Sequence, residues 1–129
     1  MILLLIVLSL FLGQQANRPT GQQANRPTGQ QAIGQSGHRV IRVSAERFAF
    51  TPSEITVERG TVIEFHLTSD DTDHGFRIVG TDVNAEIPKR RRGEAVVKYV
   101  ADTAGRFVIE CSRPCGAGHT AMRAVLIVK

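Results

Sequence analysis

Residues 38–129 alternate apolar and polar side chains with a period of two, and turn-forming residues interrupt the pattern at short intervals. Ile63, Phe65 and Leu67, for example, alternate with more polar neighbours. Successive side chains of a β-strand point to opposite faces, so this period is typical of strands with one buried face. About eight such segments, with no convincing amphipathic helix among them, predict an all-β sandwich or barrel.

The apolar residues place the predicted strands on the sequence. The first strand begins near Val40 and continues to Phe48 and Phe50, which are both expected in the core. The others are expected around residues 55–57, 61–68, 74–79, 82–87, 95–99, 106–111 and 123–129. His66 alternates with inward apolar residues and is therefore predicted to lie on the surface, and His38 is expected to be solvated.

The chain before this domain has a different composition. Residues 1–12 are apolar apart from Ser9, and a helix of that length reaches about 18 Å, short of the roughly 30 Å hydrocarbon core of a bilayer. We interpret them as a signal-peptide region or the end of a membrane anchor, so that the rest of the chain is exported. Residues 13–37 begin with two copies of GQQANRPT and are predicted to form a disordered tether to a domain at residues 38–129.

The charge of the predicted domain is nearly balanced. The chain has 16 basic and 12 acidic residues, and two of the basic ones, Arg18 and Arg26, precede the domain, which leaves 14 against 12. The run at residues 89–92, Lys-Arg-Arg-Arg, is interpreted as a solvated turn. With six Phe, one Tyr and no Trp, mostly in apolar alternation, the sequence does not favour nucleic-acid binding.

Potential metal ligands are concentrated in one stretch, CSRPCGAGHTAM at residues 111–122, which contains both cysteines of the chain together with His119 and Met122. Thiolates, imidazole and thioether are the soft and borderline donors that copper prefers. Pro114 and the nearby glycines exclude a helix here. The carbonyl group of Arg113 is therefore free of a helical hydrogen bond and available to face the two sulfur atoms.

An upstream histidine, His74, opens a predicted strand directly after a polar turn. Loops cluster at the two ends of a β-sandwich, so His74 can meet the cysteine loop although it is distant in sequence. The residues alone leave three chemistries open. These are a copper site, a zinc site with two cysteines and two histidines in which Met122 has no role, and a disulfide of the kind common in exported proteins.

The HGF sequence at residues 74–76 and the pattern C-S-x-x-C-G-x-G-H-x-x-M at residues 111–122 resemble the CuA domain of cytochrome c oxidase subunit II. The similarity covers about residues 40–129 and is strongest toward the small ba-type bacterial oxidases. It implies a cupredoxin-like Greek-key β-sandwich and a dinuclear centre of two copper ions. The implied ligands are Cys111 and Cys115 as bridges, His74 and His119 as terminal ligands, and Met122 and the backbone oxygen of Arg113 as weak axial donors.

The resemblance also implies a role in electron transfer. A c-type cytochrome would be the donor, and a haem-copper oxidase, through its subunit I, would be the acceptor, with the domain at the extracytoplasmic face of the bacterial membrane or in the periplasm. The N-terminal segment, if retained, would provide the membrane contact. The chain by itself is not expected to catalyse a bond-making reaction. Two other functions remain open at this stage, namely a free-standing copper-trafficking cupredoxin and a disulfide-bonded interaction module.

The sequence departs from the family pattern in two respects. Position 113 is commonly a glutamate that helps to hold a magnesium ion against subunit I, and Arg113 cannot do this. The Trp-rich segment of the larger oxidases is absent, although Phe48 and Phe50 lie in the comparable strand. These differences leave open whether the chain is an oxidase subunit or a free-standing relative.

Overall fold

The computed structural model of the chain describes residues 37–129, so the predictions for residues 1–12 and for the tether up to residue 36 lie outside the described part. The strands are β1 (His38–Glu46), β2 (Ala49–Thr51), β3 (Glu54–Val57), β4 (Thr61–Ser69), β5 (His74–Ile78), β6 (Asn84–Ile87), β7 (Ala95–Ala101), β8 (Gly105–Glu110) and β9 (Arg123–Val128). A 3-10 turn at His119–Ala121 precedes β9. Within the described residues, no helix is long and apolar enough to cross a membrane.

The strands form two sheets that pack around one core. One sheet has four strands in the order β2-β1-β4-β7, and the other has five in the order β3-β9-β8-β5-β6. The pairs β1–β4 and β3–β9 are parallel, and the remaining pairs are antiparallel. The inward residues of both sheets are buried, for example Phe65 on β4 and Leu126 on β9. The predicted all-β sandwich is thereby confirmed.

The prediction of a single strand from Val40 to Phe50 is wrong. The chain turns at residues 47–48, and β2 folds back antiparallel onto β1, with Glu46 opposite Ala49. Phe50 is buried as expected at 2% exposure, but Phe48 lies in the turn and is 36% exposed. The apolar–polar alternation of the sequence continues through this turn because both phenylalanines are apolar. Only the pairing of β2 with β1 shows that Phe50 is buried and Phe48 is not.

An aromatic cluster supports the start of β5. The ring of Phe76 packs edge-on against that of Phe50, with centroids 6.0 Å apart, and lies 5.1 Å from the ring of Phe65. Phe76 is fully buried and lies two residues after His74. The cluster therefore connects both sheets two residues after the start of β5.

The predictions for the outer surface are confirmed. His66 projects from the outer face of β4, where it contacts Glu64 and Glu94, and His38 is exposed at the start of β1. The basic run at residues 89–92 lies in a solvent-facing turn, with all four residues exposed.

Candidate metal centre

The predicted ligands converge at one end of the sandwich. His74 is the first residue of β5, and the loop between β8 and β9 contains the other candidates. His74 and Met122 are fully buried, and Cys111 and Cys115 are each 5% exposed. His119 is half-buried, so one imidazole faces the interior and the other approaches the surface.

Gly75 allows β5 to lie against the cysteine loop. A Cβ atom at this position would lie only 2.7 Å from the backbone nitrogens of Ser112 and Arg113. No real side chain tolerates such a distance, because the obstacle is main chain and cannot rotate away. The Gly75 backbone N–H also points at the sulfur of Cys111, at 3.4 Å. The close approach of strand and loop therefore requires glycine at position 75.

Cys111 forms one half of the centre. Its sulfur lies 3.9 Å from Nδ1 of His74 and 3.1 Å from the carbonyl oxygen of Arg113. The carbonyl faces the sulfur as the sequence predicts, since Pro114 keeps this segment out of a helix. One thiol, one imidazole and one weak oxygen donor thus lie together.

Cys115 forms the other half. Its sulfur lies 3.7 Å from Nδ1 of His119 and 3.9 Å from Sδ of Met122. The 3-10 turn brings these two donors to the same sulfur, because the amide of Met122 bonds back to the carbonyl of His119. The two sulfur atoms lie 3.7 Å apart as free thiols, so the halves share a common sulfur pair and no disulfide joins them.

Asp71 orients the imidazole of His74. Its Oδ1 lies 2.7 Å from Nε2 of His74, at a distance where an N–H donates to a carboxylate. With the proton on Nε2, the lone pair of Nδ1 faces Cys111, which is the tautomer a metal ligand needs. Burial opposes ionisation of Asp71, but hydrogen bonds from His74 and from the backbone amides of Arg47 and Thr72 keep the pKa of its carboxyl group below the ordinary value.

The chemistry of this donor set fits copper. Burial, assisted by the adjacent Cys111 thiol, raises the pKa of Cys115 to about 11, so the pair is unfavourable as two thiolates unless a cation compensates the charge. The donors His74, Cys111 and Cys115 lie within 4.8 Å of one another, close enough to share bound metal. Two sulfurs, two imidazole nitrogens and a thioether match the preference of copper more closely than that of a hard cation.

The side chain of Arg113 lies outside the centre. Its guanidinium group contacts Glu86 of β6 at 2.5 Å and Asp73, just before β5, at 3.6 Å. It therefore ties the cysteine loop to the neighbouring strand through ion pairs, and only its backbone oxygen faces the sulfur atoms.

Three residues near the centre were not recognised from the sequence. Asp71 could have been suspected, because it lies in the polar turn just before His74. Arg47 gave no local signal, and Phe48 was expected in the core of the sandwich and not beside the cysteine loop. In the structure the Arg47 guanidinium donates to the carbonyl oxygen of Cys115 at 2.6 Å, and the Phe48 ring covers the cysteine loop at Gly116.

Comparison with known proteins finds relatives in sequence and similar solved structures. No family model matches it. Two curated proteins from Thermus thermophilus are named cytochrome c oxidase subunit 2 and are each 38% identical over 88 residues. That stretch is 67% of this chain and 63% and 51% of the two relatives. The chain therefore spans about half to two thirds of the length of these curated relatives.

Several solved structures are similar to this chain. A chain of a haem-copper terminal oxidase dimer matches with a TM-score of 0.59 and 28% identity, over 70% of this chain and 65% of that one. The periplasmic domain of subunit II of cytochrome oxidase from Bradyrhizobium japonicum matches with a TM-score of 0.62 and 19% identity. The match covers 70% of this chain and 83% of that one. The blue copper protein auracyanin A from Chloroflexus aurantiacus matches with a TM-score of 0.58 and 18% identity. The match covers 71% of this chain and 99% of that one. At their low identity, the last two show the fold alone.

Proposed function

The chain belongs to the family of cytochrome c oxidase subunit II, as a homologue of its CuA domain, and on that premise we propose that it is an electron-transfer domain with a dinuclear copper centre. The proposed bridging ligands are Cys111 and Cys115. His74 and His119 are the proposed terminal ligands, and Met122 and the backbone oxygen of Arg113 are the proposed weak donors.

The observation that carries this proposal is the division of the centre into two similar halves. Each sulfur has one imidazole Nδ1 within 3.9 Å and one weak donor, and the sulfurs are 3.7 Å apart. A single tetrahedral zinc site needs only two thiolates and two imidazoles, and gives no reason for the thioether and the carbonyl oxygen to face the same sulfur pair.

When bound, two copper ions would supply one-electron redox chemistry at this position. The protein residues provide a rigid and nearly dry environment for it. His74, Met122 and the sulfurs are buried, and Asp71 fixes the ring of His74. Buried and hydrogen-bonded donors would move little between redox states of a bound group, which would keep the reorganisation energy of electron transfer low.

His119 supports a direction of approach for the donor. Unlike His74, it is half-buried, and Gly116 and Ala117 beside it are exposed. Small residues allow a partner to come close to the imidazole edge. We therefore assign the His119 side as the docking side for a c-type cytochrome.

The remaining partners follow from the family relationship. We propose that electrons pass on to a haem-copper oxidase, through its subunit I, and that the domain works outside the cytoplasm. The relatives named as oxidase subunits support this assignment. The apolar segment at residues 1–12 would provide the membrane contact if it is retained.

Anaerobic addition of copper to the reduced protein tests the proposal. We expect two copper ions per chain and a seven-line hyperfine pattern in the EPR spectrum, because one unpaired electron shared by two equivalent nuclei of spin 3/2 gives that number of lines. Uptake of one copper per chain with a four-line spectrum would contradict the dinuclear assignment. A disulfide in the purified, copper-supplied protein would contradict copper binding altogether.

Two variants separate the proposed bridging and weak donors. Cys115→Ser should abolish the seven-line spectrum, because it removes a shared sulfur. Met122→Leu should retain both copper ions and change only the reduction potential, because leucine preserves the buried volume but lacks the thioether. Loss of copper from Met122→Leu would show that the thioether is a primary ligand.

A further inference from the structure

The turn between β1 and β2 contacts both of the segments that supply the metal ligands. It consists of Arg47 and Phe48, which belong to neither sheet's core and provide no metal donor. Arg47 is exposed. Its backbone N–H and its guanidinium Nε nevertheless both donate hydrogen bonds to other parts of the chain.

The main chain of Arg47 reaches the histidine side of the centre. Its N–H donates to Oδ2 of Asp71 at 2.9 Å, while Oδ1 of the same carboxylate accepts from His74 at 2.7 Å. Both oxygens of Asp71 are thereby used. The position of the His74 ring is coupled to the position of the turn through this single carboxylate.

The side chain of Arg47 reaches the cysteine side. Its Nε donates to the carbonyl oxygen of Cys115 at 2.6 Å. A guanidinium donor makes this a charge-assisted hydrogen bond, which is shorter and stronger than a neutral one. It holds the backbone at the residue whose sulfur faces His119 and Met122.

Phe48 reinforces the same contact. A Cβ atom at Gly116 would lie 3.0 Å from the Phe48 ring, and a Cβ atom at Gly118 would overlap the ring. The Phe48 ring therefore lies against one side of both glycines, while Gly116 stays exposed on the other. The turn holds the cysteine loop by a hydrogen bond at Cys115 and by ring contact on the following residues.

We propose that Arg47 is a positioning residue that sets the distance between the His74 side and the Cys115 side of the centre. The proposal deepens the proposed function and depends on it for the identity of the metal. Without the guanidinium, the cysteine loop retains its own turn hydrogen bonds and the contact with the Phe48 ring, but loses the hydrogen bond that links Cys115 through Arg47 to Asp71. Outer residues that orient metal ligands typically contribute about 10- to 100-fold to metal affinity.

Arg47→Met tests this proposal, with Arg39→Met as a matched control. Arg39 also donates from its guanidinium to a backbone carbonyl, that of Thr56 at 2.7 Å, but Thr56 belongs to β3 and supplies no ligand. Transfer of copper from the loaded protein to a chelator should be roughly tenfold faster in Arg47→Met than in wild type, and unchanged in Arg39→Met. Arg47→Lys should recover part of the loss, since an ammonium group can donate to the same oxygen.

A metal-free measurement keeps this test independent of the copper assignment. In the apoprotein, the amides of His119 and Ala121 bond to the carbonyls of Gly116 and Gly118, and Arg47→Met should increase their hydrogen exchange severalfold.

Equal hydrogen exchange and equal copper release in the Arg47 and Arg39 variants would overturn the proposal. If the protein bound a single copper ion, the proposed function would fail, and the exchange comparison would still decide the role of Arg47. Should Arg47→Met not fold, the same measurements on Arg47→Lys decide it.

Discussion

The tautomer of His74 depends on one carboxylate. Asp71 accepts from Nε2 and so leaves Nδ1 as the donor toward Cys111. A neighbouring carboxylate, Asp70, bonds to the hydroxyl of Ser44 and makes no contact with a ligand. Two adjacent aspartates thus have separable roles, and the difference can be measured.

Asp71→Ala should lower copper affinity by about 10- to 100-fold, because the His74 ring loses its hydrogen-bond acceptor. Asp70→Ala is the control and should leave affinity at the wild-type level. Competition with a chelator of known affinity gives both values. Equal affinities in the two variants would mean that packing alone holds the His74 ring.

Arg113→Ala should retain the copper centre. Only the backbone oxygen of Arg113 faces the sulfur atoms, and the side chain forms half-exposed ion pairs with Glu86 and Asp73. Exposed pairs of this kind typically contribute up to about 1 kcal/mol each. We expect an unchanged EPR spectrum with a small decrease in the free energy of unfolding; a changed spectrum would show that the ion pairs also hold the loop backbone.

At the scale of elements, the contact between β5 and the cysteine loop depends on a missing side chain. Gly75 lies against the backbone of the loop, whereas Gly118 lies against the ring of Phe48. A backbone obstacle cannot move without displacing ligand residues. The Phe48 side chain lies in an exposed turn, so it can be displaced as a whole by a change of its χ1 angle.

Gly75→Ala should therefore destabilise the apoprotein by about 1–3 kcal/mol, the usual range for overpacking, and disturb the metal centre. Gly118→Ala should be better tolerated, because Phe48 can move aside. Urea unfolding and copper stoichiometry of the two variants provide the comparison. A stable Gly75→Ala protein with a normal centre would show that the loop can withdraw from β5 at little cost.

At the scale of the whole molecule, a charged cluster on the outer face of the four-stranded sheet couples stability to pH. Hydrogen bonds to Glu64 and then to Glu94 raise the pKa of His66 above its ordinary value of 6.5. The same hydrogen bond, acting against burial, lowers the pKa of Glu64. Other charged or titratable groups on this face are Arg42, Lys98 and His38.

Because the pKa of His66 is raised in the folded state, its stabilising effect is complete below pH 6.5 and is lost as the pH rises through the folded value. The lowered pKa of Glu64 acts on the acid side, where its contribution is lost as the pH falls. Wild type should therefore exceed His66→Gln in melting temperature at about pH 5.5, and the difference should shrink by about pH 8.5. A constant difference would mean that His66 contributes through packing alone.

The fold class and the candidate ligands could be predicted from the sequence. Period-two alternation is a local property of strands, and the donors at residues 111–122 are adjacent in the chain, so neither needs a tertiary structure to be recognised. Even His74 could be included, because loops of a sandwich meet at its ends.

The surroundings of those candidate ligands became visible only in the folded molecule. The turn that separates Phe48 from Phe50 depends on how β2 pairs with β1, and the contacts of Arg47 with Asp71 and Cys115 join parts of the chain that are distant in sequence. Such contacts leave no periodic signal, since a charged residue in a turn has the same local pattern whether it is solvated or bonded to a distant carbonyl. Their positions follow from packing two sheets against each other, which no local stretch of sequence specifies.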